Sequence, residues 1–167
     1  MTKLLSTEQM AEFANSGCLF FEGLIDEDIN KEFLNDIGHT DIDDVDNIQH
    51  YFQNIKSSSS IPRIPAGTAL KDAYPLNSPL EKIFKNEIVS GAINSLVGSK
   101  TVVDHQFLHL TFPSKYYAKA NQRQMSQVNH QDSTIDPRTT FDIQLFYFPT
   151  AVTKEMGGTR SVSYTHL

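Results

Sequence analysis

The sequence predicts an α+β protein, with helices over residues 1–100 and β structure over 101–167. Three observations predict it. Apolar-periodic segments follow helix-capping residues at Ser6, Asp26 and Ser78. From Thr101 onward the texture changes to β-formers, in Thr101–Phe112 and again in Phe141–Phe148. The chain has 167 residues, 39% apolar and 20% charged, which suits one soluble globular domain.

Each element has a local reason. Ser6-Thr7-Glu8-Gln9 fits a capping box, with Ser6 as N-cap and Gln9 reaching back. The helix that follows carries Met10, Phe13 and Ala14 on one stripe, and Gly17 stops it. Cys18-Leu19-Phe20-Phe21 has the length of a short strand. Asp26 caps a second helix over 27–37, with Ile29, Phe33 and Ile37 on one face. Ser78-Pro79 opens a third, expected to run to Val97, because proline is favoured at the first helical position. Its inward residues are Leu80, Ile83, Phe84, Ile88, Ile93 and Leu96; Gly91 weakens its middle and Gly98 ends it. Between these elements, Asp41, Asp43, Asp44 and Asp46 mark a solvated acidic loop. They lack the central glycine and closing glutamate of a calcium loop. Ser57–Gly67 and Pro113–Val128 read as connections.

Composition excludes several functions. Fourteen Lys+Arg against twenty Asp+Glu give a net charge of −6, which argues against a nucleic-acid partner. No apolar run approaches the ~20 residues of a membrane span, and the N-terminus lacks a signal-peptide core. The single cysteine, Cys18, has no partner for an internal disulfide. A cytoplasmic location is the expectation.

The segment with chemistry is His130-Gln131-Asp132. On an extended chain, residues i and i+2 point to the same side. His130 and Asp132 then present an imidazole and a carboxylate together. These are two members of the two-His, one-carboxylate triad that holds non-haem Fe(II) and leaves three positions open. The same residues also read as a polar strand end with an ordinary His–Asp hydrogen bond. His105 and His109 are four apart on an expected strand. Their Cα atoms would stand ~13 Å apart, too far for one ion, so they read as packed or surface residues. Cys18 has no evident activating base and reads as a structural thiol.

The order Val128-Asn129-His130-Gln131-Asp132-Ser133, then Phe141–Phe148, then Glu155-Met156-Gly157-Gly158-Thr159-Arg160 resembles the phytanoyl-CoA dioxygenase family. Leu5–Gln9 and Gly17–Ile25 resemble that family's entry helix and first strand. The resemblance covers residues 5–160 and is weakest over 38–75. It implies a double-stranded β-helix, a cupin-like jelly roll, with the N-terminal helices packed on it in a single domain over 1–167. It implies Fe(II) held by His130 and Asp132, and 2-oxoglutarate as cosubstrate. Leu108 and Phe146 fall where the family lines the cosubstrate pocket; both also read as barrel-core residues. The implied activity is hydroxylation of a small organic substrate, coupled to oxidative decarboxylation of 2-oxoglutarate.

The expected barrel is incomplete. Sixty-six residues follow Thr101, and eight strands of ~5–6 residues would use about 45 before any loop is drawn. The family's second iron-binding histidine and its 2-oxoglutarate arginine have no counterpart here. His166 corresponds to a turn histidine that is not a ligand. Arg138 and Arg160 read as surface residues. Ser161–Leu167 resembles translated adapter sequence, so the expectation is an inactive N-terminal fragment of a longer enzyme. Two other readings stand beside it. One is a non-catalytic jelly-roll module that binds a small molecule or a partner; the other is a cupin-type metal-dependent isomerase or hydrolase.

Overall fold

A computed structural model of the chain describes residues 2–38, 53, 55, 57, 58, 60–109 and 142–153. The chain divides into two compact units, Met1–Phe107 with Ser163–Leu167, and Leu108–Val162. Four α-helices and one two-stranded antiparallel sheet lie wholly within the described residues. No helix among them is long and apolar enough to cross a membrane.

In the first unit, α1 spans Thr7–Ser16 and begins as the sequence predicts. The Gln9 amide donates to Ser6 Oγ at 3.2 Å, and the Ser6 amide donates to Gln9 Oε1 at 2.9 Å. Two otherwise orphaned donors are satisfied reciprocally. Gly17 ends the helix at φ 74°, where only glycine is free of Cβ crowding. The expected stripe is only part-covered: Phe13 is half-buried, while Met10 and Ala14 are exposed.

Cys18–Phe21 is irregular, which corrects the expected strand. The Ser16 hydroxyl explains part of the difference. It donates to the Cys18 carbonyl at 2.8 Å and accepts from the Cys18 amide at 3.4 Å. A side chain thus takes backbone groups that a ladder would have used.

Helix α2 spans Glu27–Asp36. Asp26 sits at its N-cap position, but its side chain makes no capping bond. Its carbonyl instead accepts from Ile29 and Asn30 at 3.0 and 3.1 Å. Phe33 and Ile37 are buried as expected, while Ile29 is half-buried. Beyond the helix, Gln53, Ile55 and Ser57 are helical. Asp36 Oδ2 then accepts from Ser58 Oγ at 2.6 Å and from the Ser60 amide at 2.8 Å.

The expected single helix from Ser78 to Val97 is two helices, α3 (Pro79–Lys85) and α4 (Glu87–Val97). Asn86 breaks it at ψ 132°, and its Oδ1 accepts from the Ile88 and Val89 amides. An N-cap residue inside the apolar period restarts the helix. The break also shifts the buried register. Ile83 and Ile93 are buried as expected, but Val89 and Ala92 join them, while Leu80, Phe84, Ile88 and Leu96 are half-buried. Helix α2 packs on α3, and α3 on α4, around Phe33, Ile37, Ile83 and Ile93.

The expected strand Thr101–Phe112 is reduced to β2, Val102–Val103, paired antiparallel with β1, Thr68–Ala69. Residues 104–109 are irregular, and 110–112 lie outside the described residues. In the second unit, 142–148 is also irregular, which corrects the second expected strand over its described part. An alternating β-former sequence becomes a strand only when a neighbouring chain pairs its amides and carbonyls. No such ladder joins 142–148 among the described residues, and no jelly roll is seen among them. The acidic run 41–46 and the connection 113–128 lie outside the described residues.

Candidate functional site

His130 and Asp132, the expected metal ligands, lie outside the described residues, as do Arg138, Arg160 and His166. Leu108 and Phe146 both belong to the second unit. Leu108 is half-buried. Phe146 is 59% exposed and stacks on Phe148, with ring centroids 6.4 Å apart. Tyr147 between them is half-buried, and burial pushes its phenol up to about 12.

His105 is exposed in the first unit, matching its reading as a surface residue. Its Nδ1 lies 2.7 Å from Asp104 Oδ2, and its ring stacks on Phe107 at 5.4 Å. His109 is exposed in the second unit. Among the described residues, no three His, Cys, Asp or Glu side chains come together to hold a metal ion.

The first unit also contains a concave site that sequence reasoning missed. A cleft of about 590 Å³ is bounded by Ala69–Lys71, α3, α4 and the turn Ser99–Thr101. Its volume is within the range of small-molecule sites. Tyr74 and Phe84 stack with centroids 5.0 Å apart and an interplanar angle of 15°. Together with buried Ile93 they supply an apolar lining. The Tyr74 hydroxyl donates to Gln106 Oε1 at 2.9 Å, and Gln106 Nε2 donates to the Pro62 carbonyl at 2.6 Å. Burial pushes the Tyr74 phenol up to about 12.

Charge is arranged unevenly around this cleft. Glu81 is ion-paired with Lys85 across one helical turn and accepts the Asn77 amide at 2.8 Å. The hydrogen bond from Lys85, then that from Asn77, holds its carboxyl below the usual range. Lys71 and Lys100 also line the cleft and have no ion-pair partner among the described residues. The Leu70 amide donates to the Thr101 carbonyl at 3.0 Å. That bond fixes the neighbours of the two lysines to each other.

No protein-family model matches the chain, and neither a curated protein nor a solved structure matches it.

Proposed function

We propose that the chain is part of an Fe(II)- and 2-oxoglutarate-dependent oxygenase of the phytanoyl-CoA dioxygenase type. The observation that carries this reading is the ordered sequence His130-Gln131-Asp132, the β-forming run to Phe148, and Gly157-Gly158-Thr159-Arg160. The opening supports it in part. A capped helix stands over Thr7–Ser16, where the resemblance puts an entry helix, although Cys18–Phe21 after it is irregular.

The donor chemistry fits the metal. A neutral imidazole and a carboxylate two residues apart suit divalent iron, and supply two ligands of a facial triad. His130 and Asp132 would hold the metal, and Leu108 and Phe146 would border the cosubstrate on a jelly-roll frame. Bound iron with 2-oxoglutarate supplies oxidising power for hydroxylating an unactivated C–H bond of a small organic substrate. The chain's own part is to fix the two donors and to keep water from the bound substrate.

Paramagnetic broadening tests the reading. Mn(II), added as a spin probe for the Fe(II) site, should broaden amide resonances centred on 128–134. The effect should vanish in both His130→Ala and Asp132→Ala. Binding is expected to be weak, because two protein ligands leave the coordination geometry unfixed. Broadening centred elsewhere, or unchanged in both variants, would exclude the iron site and favour a non-catalytic binding module.

A further inference from the structure

We infer that the cleft between α3, α4 and the Ser99–Thr101 turn binds a small organic anion with a flat aromatic body, such as an aryl phosphate or aryl carboxylate. The inference is independent of the oxygenase reading, because the cleft lies wholly within the first unit.

Three features select this ligand class. The first is the stacked pair Tyr74–Phe84, backed by Ile93, which gives a planar ligand a wall to lie against. The second is charge. The chain carries a net −6, yet the lysines lining this one cleft are Lys71, Lys85 and Lys100. Glu81, the acid that lines it, is neutralised by Lys85. Lys71 and Lys100 have no ion-pair partner among the described residues, and a lining of three lysines against one glutamate is net positive on an acidic protein. The third is placement. Lys71 follows Leu70 and Lys100 precedes Thr101, and the backbone bond between Leu70 and Thr101 ties the two cationic segments to one edge. Ser90, Asn94 and Ser99 add neutral hydrogen-bonding side chains to the lining. An anionic head would meet the lysines while its ring covers the aromatic wall. Inorganic phosphate would use the lysines alone, and an uncharged aryl alcohol the wall alone.

Equilibrium dialysis of the full chain against 1-naphthyl phosphate tests the proposal, with 1-naphthol and inorganic phosphate as comparison ligands. Saturable uptake of one naphthyl phosphate per chain is expected, weakened by added salt. The double variant K71A/K100A should bind about tenfold or more weakly, since the loss of even one charge-assisted contact is of that order. Both lysines are exposed, so the variant should keep the wild-type circular dichroism and melting temperature. Lys31→Ala, which alters a lysine outside the cleft, should bind as wild type. Equal binding of 1-naphthol, full competition by equimolar inorganic phosphate, or undiminished binding by K71A/K100A would each overturn the assignment.

Discussion

Gly91 of α4 lies directly against the backbone of Lys3. A Cβ built on Gly91 would stand 1.8 Å from the Lys3 carbonyl oxygen. The N-terminal segment is also tied to the same helix. The Lys3 amide donates to the Glu87 carbonyl at 3.0 Å, and the Leu5 amide to Ser95 Oγ at 3.0 Å.

Gly91→Ala should therefore destabilise the first unit. In an exposed helix interior this change would gain about 1 kcal/mol. Here the methyl meets backbone, and overpacking of this kind costs about 1–3 kcal/mol. Urea unfolding should show a lower midpoint, and proteolysis should clip the N-terminus faster. A variant as stable as wild type would show that Lys3 does not rest on the helix.

Asn86 holds the joint between α3 and α4. Asn86→Ala removes the acceptor for the Ile88 and Val89 amides. A loss of about 1 kcal/mol is expected, with Asn86→Asp retaining most of the stability. Chemical denaturation of the two variants checks the ranking. Equal losses in both would count against capping as the cause.

Alkaline pH should loosen the first unit through Tyr74. Its folded pKa is raised to about 12 from 10.0 by burial. Its contribution is thus fully present below the unfolded value and fades as pH rises from 10 toward 12. Tyr74→Phe should flatten part of that loss. It should also lower stability at neutral pH, because Gln106 loses the hydroxyl's hydrogen bond. Thermal melts across this window, with tyrosinate absorbance followed in parallel, measure both effects. An unchanged alkaline slope in the variant would assign the loss to other groups.

In the second unit, Leu145, Phe146 and Phe148 are 42%, 59% and 52% exposed. With Asp142 the one charge in 142–148, this surface suits association between chains. Size-exclusion chromatography should show concentration-dependent species, and F146D/F148D should shift them toward monomer. A concentration-independent monomer for the wild-type chain would reject the idea.

Residues that act on their own neighbours were legible in the sequence. Ser6 with Gln9, Gly17, Ser78-Pro79 and Gly98 set helix ends through short-range backbone chemistry, and each stands where expected. The break at Asn86 was also signalled, by a capping residue followed by Glu87, but the apolar period runs through it and masked it. Features made by distant segments were not legible. Gly91 reads as a weak helix position until Lys3 is laid against it. Val102–Val103 finds its partner at Thr68–Ala69, far shorter than its β-forming run suggests. Lys71, Lys85 and Lys100 are scattered in the sequence and meet only around the cleft. His130-Gln131-Asp132 is legible as a donor pattern, since its spacing is local.

The anchoring of Leu5 to Ser95 has a consequence for biosynthesis. The two residues are 90 positions apart, so the ribosome releases the leading segment long before its seat exists. At roughly 5–20 residues per second the wait is on the order of 5–20 s. Helix α1 can form meanwhile, because its cap and stop are local, but the first few residues must stay unclaimed by other nascent chains. Vectorial synthesis therefore lets Lys3 and Leu5 settle on α4 only after Glu87 and Ser95 have been made, well after α1 has its own cap and stop.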